Sequence, residues 1–443
     1  MRIGKRQWRL SSFQIISLSF VLLILTGTLL LMTPWATISG RSTDFLPALF
    51  TATSASCVTG LTVENTGLYW SFFGQLIILL MIQIGGLGGV TMAVAITMAA
   101  GQRIDLQQRS TIQEALAVPQ LGGIVRLIRF ILCFTGGVEL LGACLLLPVF
   151  VPEYGLAQGL WMAVFHSISA FCNAGFDLMG STGGGSLMGY AAHPLVNLTI
   201  MALIIAGGLG FMTWADVQLN GLNFRYYRLQ TKIILFMTVG LILFPALMLF
   251  SLDLSGQPLA QRFWTACFQA VTPRTAGFNT IDIESLSEAG RIVLVALMLT
   301  GGAPGSTAGG VKVTTVFTLM AATISALRMK NDVECFSRRI PLEVVRQALA
   351  IFLLYLLLFS GSTFLISVVD KVPVVDCMVE TSSALGTVGL SIGLTEKLSP
   401  LSQWMLIGLM YFGRVGALTM IYALHARKNS STGRLPAEKI TVG

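Results

Sequence analysis

Four short loops, each centred on one glycine, hold the residues best suited to binding an ion with main-chain atoms. Each loop follows a segment too short to cross a bilayer and precedes a long apolar one, as a re-entrant loop does. Glycine can adopt backbone angles that turn carbonyl oxygens toward one point, and carbonyl rings can replace the water around a cation. The twelve candidate ligands are Val58, Thr59, Gly60, Asn173, Ala174, Gly175, Thr275, Ala276, Gly277, Thr387, Val388 and Gly389.

A second motif recurs downstream of each loop in nearly the same register. It reads Gly-[Gly/Arg]-x-[Gly/Pro]-x-x-Thr and begins 25, 32, 24 and 24 residues after the loop glycines, at Gly85, Gly207, Gly301 and Gly413. The loop glycines themselves are 115, 102 and 112 residues apart. Two motifs that recur together four times indicate a fourfold internal repeat.

The composition is typical of a protein embedded in a membrane. Hydrophobic residues make up 54% of the chain, charged residues 11%, and the mean hydropathy is +0.78. So apolar a chain is expected to contact lipid rather than nucleic acid. The seven cysteines lack a C-x-x-C pattern, the three histidines are scattered, and no nucleophile–base pattern occurs. We therefore expect no enzyme activity, no metal cluster and no covalent cofactor.

Positive charge is concentrated on one side of the predicted membrane spans. The termini and the links between repeats hold 20 of the 28 basic residues, whereas six lie on the side of the glycine loops. By the positive-inside rule, both termini are cytoplasmic and the loops lie near the outer face of the cell membrane. Acidic residues are more frequent on that outer side, where they would concentrate cations.

The motifs determine where the helices are expected. Each repeat should contain an outer helix, a short pore helix, the glycine loop and an inner helix. The chain is thus expected to be an all-α polytopic membrane protein with eight transmembrane helices and four pore helices. Its four pseudo-symmetric helix–pore loop–helix repeats, residues 1–108, 109–223, 224–340 and 341–443, would surround one pore. A pore helix directs the negative end of its dipole at the cation.

Approximate boundaries follow from the apolar runs and the motifs. Outer helices are expected near 13–33, 124–149, 231–251 and 342–368, and pore helices near 44–56, 157–171, 258–271 and 373–385. Inner helices are expected near 71–99, 194–218, 290–328 and 401–425, and the third of these is predicted to be divided.

The loop sequences resemble those of the Trk/Ktr/HKT superfamily of potassium transporters. The resemblance covers nearly the whole chain and is carried by residues 57–61, 173–176, 273–279 and 386–390. Because no extra helical hairpin precedes the first repeat, the chain is most similar to the KtrB branch. The resemblance implies potassium as the transported ion, a homodimer with one pore per protomer, and a cytosolic nucleotide-binding ring (KtrA-like). It also suggests stimulation by sodium. Cys57 replaces a threonine common in relatives, and we expect little effect on selectivity.

The third inner helix contains ten residues that disfavour a helix. They are Gly301, Gly302, Ala303, Pro304, Gly305, Ser306, Thr307, Ala308, Gly309 and Gly310. Glycine costs about 1 kcal/mol and proline about 3 kcal/mol relative to alanine within a helix. We interpret this segment as an unwound loop that crosses the conduction path and must move to open it, the role that the resemblance assigns to it. The alternative is close helix packing through small residues. Lys312 would hold the closed loop or extend to the cytoplasmic interface.

Arg414 occupies the motif position that is glycine in the other three repeats. A charged side chain in the middle of a span costs about 2.5–3.5 kcal/mol on insertion scales, so a specific role is expected. One interpretation is structural, with Arg414 paired to Asp216, to Glu139 or to carbonyls of the third-repeat loop. The other places the guanidinium beside the axis, where it would repel cations and stabilise the closed gate.

Two functional interpretations remain from the sequence. The first is potassium uptake through a channel-like pore. The second is a secondary transporter of another monovalent cation or small solute. Secondary transporters usually contain inverted repeats and broken helices in paired halves, whereas all four repeats here run parallel, so the sequence favours the first interpretation. Spacing alone does not distinguish potassium from sodium or ammonium.

Overall fold

The computed structural model describes residues 11–99, 106–115, 123–182, 185–254 and 256–424, and most of them are helical. Several basic residues behind the predicted orientation lie outside the described residues, namely Arg2, Lys5, Arg6, Arg9, Arg103, Arg427, Lys428, Arg434 and Lys439. The end of the fourth inner helix at 425 and the polar tail after it also lie outside them.

Four long helices form the outer helices of the repeats. They span Ser12–Leu31, Ile124–Tyr154, Leu229–Leu252 and Leu342–Asp370, so the second extends beyond the predicted end at 149. The first begins with a capping box in which Ser11 and Gln14 bind each other's backbone N–H groups. Large apolar side chains such as Leu22, Leu140, Leu243 and Leu357 are exposed on these helices. Such surfaces are expected to contact lipid.

Four short helices lie within one residue of the boundaries predicted for the pore helices, and they keep that name below. They span Phe45–Cys57, Leu156–Phe171, Leu259–Val271 and Val374–Gly386. Their last turns are buried, and the glycine loops that follow belong to the main hydrophobic core. A segment of 13 to 16 residues is too short to cross a bilayer but long enough to enter from one face.

All four inner helices are divided. Their paired segments are Phe72–Leu87 and Gly89–Ala99, Pro194–Gly208 and Phe211–Asn220, Glu288–Leu299 and Val313–Leu327, and Pro400–Val415 and Ala417–Leu424. The prediction of continuous first, second and fourth inner helices was therefore wrong. The chain turns at Gly88, Gly210 and Gly416, which share the fourth motif position and have φ of +87°, +85° and +89°. Only glycine adopts these angles readily.

At the first two breaks, the second helix segment lies at a steep angle to the first. The two parts of the first inner helix meet at 98° and those of the second at 93°. Among the described residues, four helices are long and apolar enough to cross a membrane, or up to six if each of these bent pairs counts as one span.

The remaining elements are short. One helix, Leu106–Ala115, lies in the link between the first two repeats, and another single turn spans Thr66–Tyr69. The 3-10 turns span Pro34–Ala36, Met179–Thr182, Met188–Tyr190, Phe224–Tyr226, Ile283–Ser285 and Thr395–Lys397. A two-stranded antiparallel hairpin, Val333–Cys335 with Arg338–Ile340, follows the third inner helix and was not predicted.

The repeats contact one another in a closed cycle. Each pore helix packs against the outer helix of its own repeat. It also packs against the first segment of the divided inner helix of the preceding repeat. The cycle closes because the first segment of the fourth inner helix contacts the first pore helix. The order around the cycle is therefore one, two, three, four, and the second and fourth repeats lie opposite each other.

Candidate functional site

The four loop glycines meet in a ring. A Cβ atom placed on any of them would lie 2.7 Å or closer to the carbonyl oxygen of the residue that precedes the next repeat's glycine. The contacts run in a cycle from Gly60 to Ala174, from Gly175 to Ala276, from Gly277 to Val388 and from Gly389 to Thr59. Real Cβ atoms do not approach backbone oxygens this closely, so the ring requires glycine at all four positions.

The backbone repeats the same unusual conformation in each loop. The glycines have φ of +93°, +69°, +83° and +95° in chain order. The residues two positions earlier also have positive φ, from +52° to +69°, although none is glycine; they are Val58, Asn173, Thr275 and Thr387. Such conformations cost about 1–3 kcal/mol each outside glycine and persist only where the surroundings impose them. All twelve sequence-predicted ligands therefore lie in four equivalent strained loops around the ring.

Hydroxyl groups on the pore helices hold these loops, and the sequence analysis missed them. In repeat one the Gly60 N–H donates to the Ser54 hydroxyl, and in repeat four the Gly389 N–H donates to the Ser383 hydroxyl, both at 3.0 Å. In repeats two and three, the hydroxyls of Ser169 and Thr272 each donate to a carbonyl just beyond the glycine, at 2.7 Å. A serine or threonine five or six residues before each glycine was the available signal.

The inner-helix glycines bring the inner helices against the pore helices. A Cβ on Gly85, Gly207 or Gly413 would overlap the carbonyl oxygen at the end of its pore helix, at Ser56, Phe171 and Leu385 respectively. In the third repeat, Gly301 instead lies against the carbonyl of Gly309. The residues 301–310, called the intramembrane loop below, thus occupy the place of the missing helix contact.

The intramembrane loop is folded back on itself. At its neck, the Gly301 N–H donates to the Val311 carbonyl at 2.8 Å, and the Val313 N–H donates to the Gly302 carbonyl at 3.1 Å. Ser306 closes a turn inside the loop by donating its hydroxyl proton to the Ala303 carbonyl at 2.6 Å. The Ser306 hydroxyl also accepts from the Ala308 N–H at 3.3 Å, so this side chain satisfies two backbone groups of the loop.

The loop contacts the second repeat on one side. The Ala303 N–H donates to the Gly208 carbonyl at 2.9 Å. In the opposite direction, the Phe211 N–H donates to the Gly305 carbonyl of the loop at 3.0 Å. The Thr307 hydroxyl also donates to the carbonyl of Phe171, at the end of the second pore helix, at 3.1 Å.

The loop contacts the fourth repeat on the other side. A Cβ on Gly309 would overlap the hydroxyl of Thr387, a ring-loop residue, and one on Gly310 would lie 3.2 Å from the Gly386 carbonyl. The third repeat lies between the second and the fourth in the cycle, and its loop contacts both neighbours next to residues of their ring loops.

Arg414 joins this loop to the first repeat. Its guanidinium donates to the Thr307 carbonyl, to the Gly85 carbonyl at 2.5 Å and to the Gly86 carbonyl at 2.8 Å. The hydrogen bonds match the pairing with loop carbonyls, whereas pairing with Asp216 or Glu139 was wrong. Those two carboxylates accept from other groups: Asp216 from the Arg228 N–H at 2.9 Å and Glu139 from the Gln83 amide at 3.1 Å.

Lys312 turns back toward the loop rather than to the interface. Its ammonium donates to the carbonyls of Ala308 at 2.7 Å and Gly309 at 3.4 Å. Arg414 and Lys312 together therefore hold three consecutive loop carbonyls, at residues 307 to 309.

A cavity of about 460 Å³ lies next to the loop. Its wall includes Phe20 of the first outer helix, Tyr355 of the fourth, and the helix breaks at Gly88 and Gly416. Lys312, Arg414 and the loop residues Pro304, Gly305 and Gly310 also border it.

Acidic groups lie in the loops that follow the ring glycines. Burial and the negative charge of Glu396 raise the pKa of Glu64. Burial raises the pKa of Asp177 to about 6. Negative potential on this side of the ring would attract cations.

Comparisons with known proteins agree on one family. The profile of the TrkH family, described as cation transport proteins, matches residues 8–432. The potassium/sodium uptake protein NtpJ of Enterococcus hirae is 39% identical over 446 residues, 98% of each chain. The Ktr system potassium uptake protein B of Bacillus subtilis is 38% identical over 97% of this chain and 96% of its own.

The fold comparison points the same way. The crystal structure of the potassium transporter TrkH from Vibrio parahaemolyticus matches with a TM-score of 0.74 at 21% identity. It covers 96% of this chain and 87% of that one. The resemblance expected from the loop sequences is therefore confirmed, and the chain belongs to the TrkH family of membrane cation transport proteins.

Proposed function

We propose that this chain carries potassium into the cell by channel-like conduction through the ring of four glycines. The observation that carries the proposal is the closed cycle in which each ring glycine packs against a carbonyl of the next repeat. Such a ring would present main-chain oxygens from four sides, the ligand set that replaces water around a dehydrated monovalent cation. The names of the relatives NtpJ and Ktr protein B support potassium as the ion.

The twelve ring-loop residues would form the selectivity filter, and their carbonyls would be the potassium ligands. The C-termini of four pore helices lie beside the ring, and each contributes the negative end of a helix dipole. The full arrangement in this proposal is eight transmembrane helices and four pore helices, with each divided inner helix counted as one span and residues 1–108, 109–223, 224–340 and 341–443 as the repeats.

The intramembrane loop would be the gate. It contacts repeats two and four, and Arg414 and Lys312 bind its carbonyls. Conduction would require the loop to leave this position, which breaks the Arg414 contact with Thr307. The cavity beyond the loop would receive the ion on its way to the cytoplasm.

The assembly follows from the kind of system to which the relatives belong. The name of the Bacillus subtilis relative places it in a Ktr system, which supports a multi-subunit transporter. We infer a homodimer in the plasma membrane, with both termini cytoplasmic and a cytosolic nucleotide-binding ring (KtrA-like) as regulator. Sodium would stimulate uptake or be a second substrate, since NtpJ is named for both ions.

The proposal is tested by uptake into bacteria that lack their own potassium transporters. Wild-type protein should support growth at low potassium and rubidium uptake that saturates with potassium, at several sodium concentrations. Gly60→Ser should abolish the potassium preference, because Gly60 has φ of +93° and no room for a Cβ. Gly408→Ser is the matched control, since a Cβ at Gly408 meets nothing within 4 Å. Uptake of an uncharged solute, or equal behaviour of both variants, would favour a secondary transporter.

A further inference from the structure

Glu380 is a fully buried carboxylate on the fourth pore helix that the proposed gate and filter do not use. The residue is 0% exposed. None of the described basic side chains lies within salt-bridge distance of it. A buried carboxylate without a cationic partner is costly, and it requires several hydrogen-bond donors to be tolerated.

Those donors come from the segment just beyond the ring glycine of the same repeat. Oε1 accepts from the Ser391 hydroxyl at 2.5 Å and from the Ile392 N–H at 3.2 Å, and Oε2 accepts from the Thr395 hydroxyl at 2.6 Å. The Ser391 hydroxyl itself accepts from the Gly393 N–H at 3.0 Å, so its own proton is directed at Glu380. These donors converge on both oxygens of the side chain and so offset part of the cost of burying it.

In the second repeat, on the opposite side of the ring, the residue that corresponds to Glu380 also binds the segment after the ring glycine. Glu380 lies nine residues before Gly389 and binds the N–H three residues after it. In the second repeat, His166 lies nine residues before Gly175, and its Nε2 accepts from the Leu178 N–H, three residues after that glycine, at 3.4 Å.

The His166 anchor is neutral. Nδ1 of His166 lies 2.7 Å from the Met162 carbonyl, to which it must donate, so Nε2 carries no proton and can accept. In the first and third repeats the corresponding residues are Thr51, whose hydroxyl has no partner, and Phe268. Two opposite loops are thus anchored from this position, and Glu380 is the member of the set that supplies a charge.

We propose that Glu380 is a specificity-determining and positioning residue of the filter, which holds the outer end of the fourth loop and supplies a fixed negative charge to the cation in the ring. This inference rests on the proposed function. Ser391 is two residues from Gly389, so the carboxylate and a ring-bound ion are on the order of 10 Å apart. With an effective dielectric of about 20, that charge changes cation occupancy by more than tenfold, and water at the outer mouth reduces the expected effect to about five- to tenfold.

The test is potassium-dependent rubidium flux in proteoliposomes that contain the purified full-length protein, with sodium as competitor. Glu380→Gln keeps the shape and most hydrogen bonds but removes the charge. It should raise the half-saturating potassium concentration about five- to tenfold while the maximal rate per folded protein stays within twofold. Glu284→Gln, an exposed acid-to-amide change in the loop after the third ring glycine, is the matched control and should change neither quantity.

Ser391→Ala separates the anchor from the charge and remains informative if Glu380→Gln does not fold. It keeps the carboxylate but loosens the segment beyond Gly389, so the potassium-over-sodium preference should fall about threefold with less than a twofold change in potassium half-saturation. A half-saturation in Glu380→Gln equal to that of the wild type, or an unchanged ion preference in Ser391→Ala, would overturn the corresponding half of the inference. Absence of saturable flux in the wild type would instead contradict the proposed function.

Discussion

Replacing Arg414 should open the transporter. In the structure its guanidinium bridges the Thr307 carbonyl of the intramembrane loop and the Gly85 and Gly86 carbonyls of the first repeat. Displacement of the loop must break the bond to Thr307, whereas the bonds to the first repeat can remain. A hydrogen bond to a charged group contributes about 1.5–3 kcal/mol, so its loss shifts the equilibrium of the loop toward the open position by roughly 10- to 150-fold.

The guanidinium also acts on the ion itself. At roughly 8 Å and an effective dielectric of about 20, it repels a passing monovalent cation by about 2 kcal/mol. Loss of the Thr307 bond and loss of this repulsion should both increase the potassium flux. We therefore expect Arg414→Gln and Arg414→Ala to raise maximal potassium flux at least severalfold. The half-saturating concentration, which is set at the ring, should stay within about twofold of the wild type.

The assay is the initial rate of rubidium uptake into proteoliposomes, normalised to folded protein. Arg291→Gln is a suitable control, because Arg291 binds Asp376 at 2.8 Å near the start of a pore helix, away from the loop. Arg414→Lys should be intermediate, since one ammonium group is less able to bridge three carbonyls. Well-folded Arg414→Gln and Arg414→Ala proteins with unchanged or reduced flux would refute the reasoning, and a changed ion preference at unchanged flux would contradict the barrier.

Three further predictions concern the glycines and the loop. Gly389→Ser should weaken potassium affinity or potassium-over-sodium preference, measured per folded protein, because its Cβ would meet the Thr59 carbonyl across the ring. Unchanged selectivity in both Gly389→Ser and Gly60→Ser would argue against a common ring. Deleting residues 304–308 should raise flux per folded protein and lessen dependence on a cytosolic regulator, whereas poor assembly with low flux would indicate a packing role. Gly85→Ala should lower the yield and melting temperature of the purified protein, because its Cβ would overlap the Ser56 carbonyl. Gly136→Ala is the control, since a Cβ at Gly136 meets nothing within 4 Å. Equal melting temperatures of the two variants would contradict the packing of Gly85 against the pore helix.

The sequence predicted the parts of the site that repeat. The pore helices and ring glycines were found because the same residue types recur at similar spacing, and glycines that merely form turns are not expected to recur four times in one register. The helix breaks were missed at Gly88, Gly210 and Gly416. Their glycines were recognised in the motif, but a helix tolerates an isolated glycine at about 1 kcal/mol, so sequence alone gives no reason to end it there.

Other features depend on contacts between distant segments. The partners of Arg414 lie 107 and more than 300 residues away, and they are main-chain carbonyls, which any residue type supplies. Charge complementarity suggested Asp216 or Glu139, but both are satisfied by N–H donors elsewhere. The anchoring roles of Ser54 and Glu380 were equally hidden, because many pore-helix residues are hydroxylic and only the fold shows which of them face the loop.

The arrangement of four repeats in one chain determines how charge can be placed near the axis. In a channel built from four identical subunits, any residue near the axis occurs four times, so one arginine would become a cluster of four positive charges beneath the filter. Here the four units are fused in one polypeptide, and each can diverge alone. The fourth carries Arg414 where its counterparts Gly86, Gly208 and Gly302 leave space, and the third alone carries the Pro304 loop. In the proposed pore, the ring therefore keeps its fourfold pattern while Arg414 and the Pro304 loop occur once each, so one side chain can hold the proposed gate.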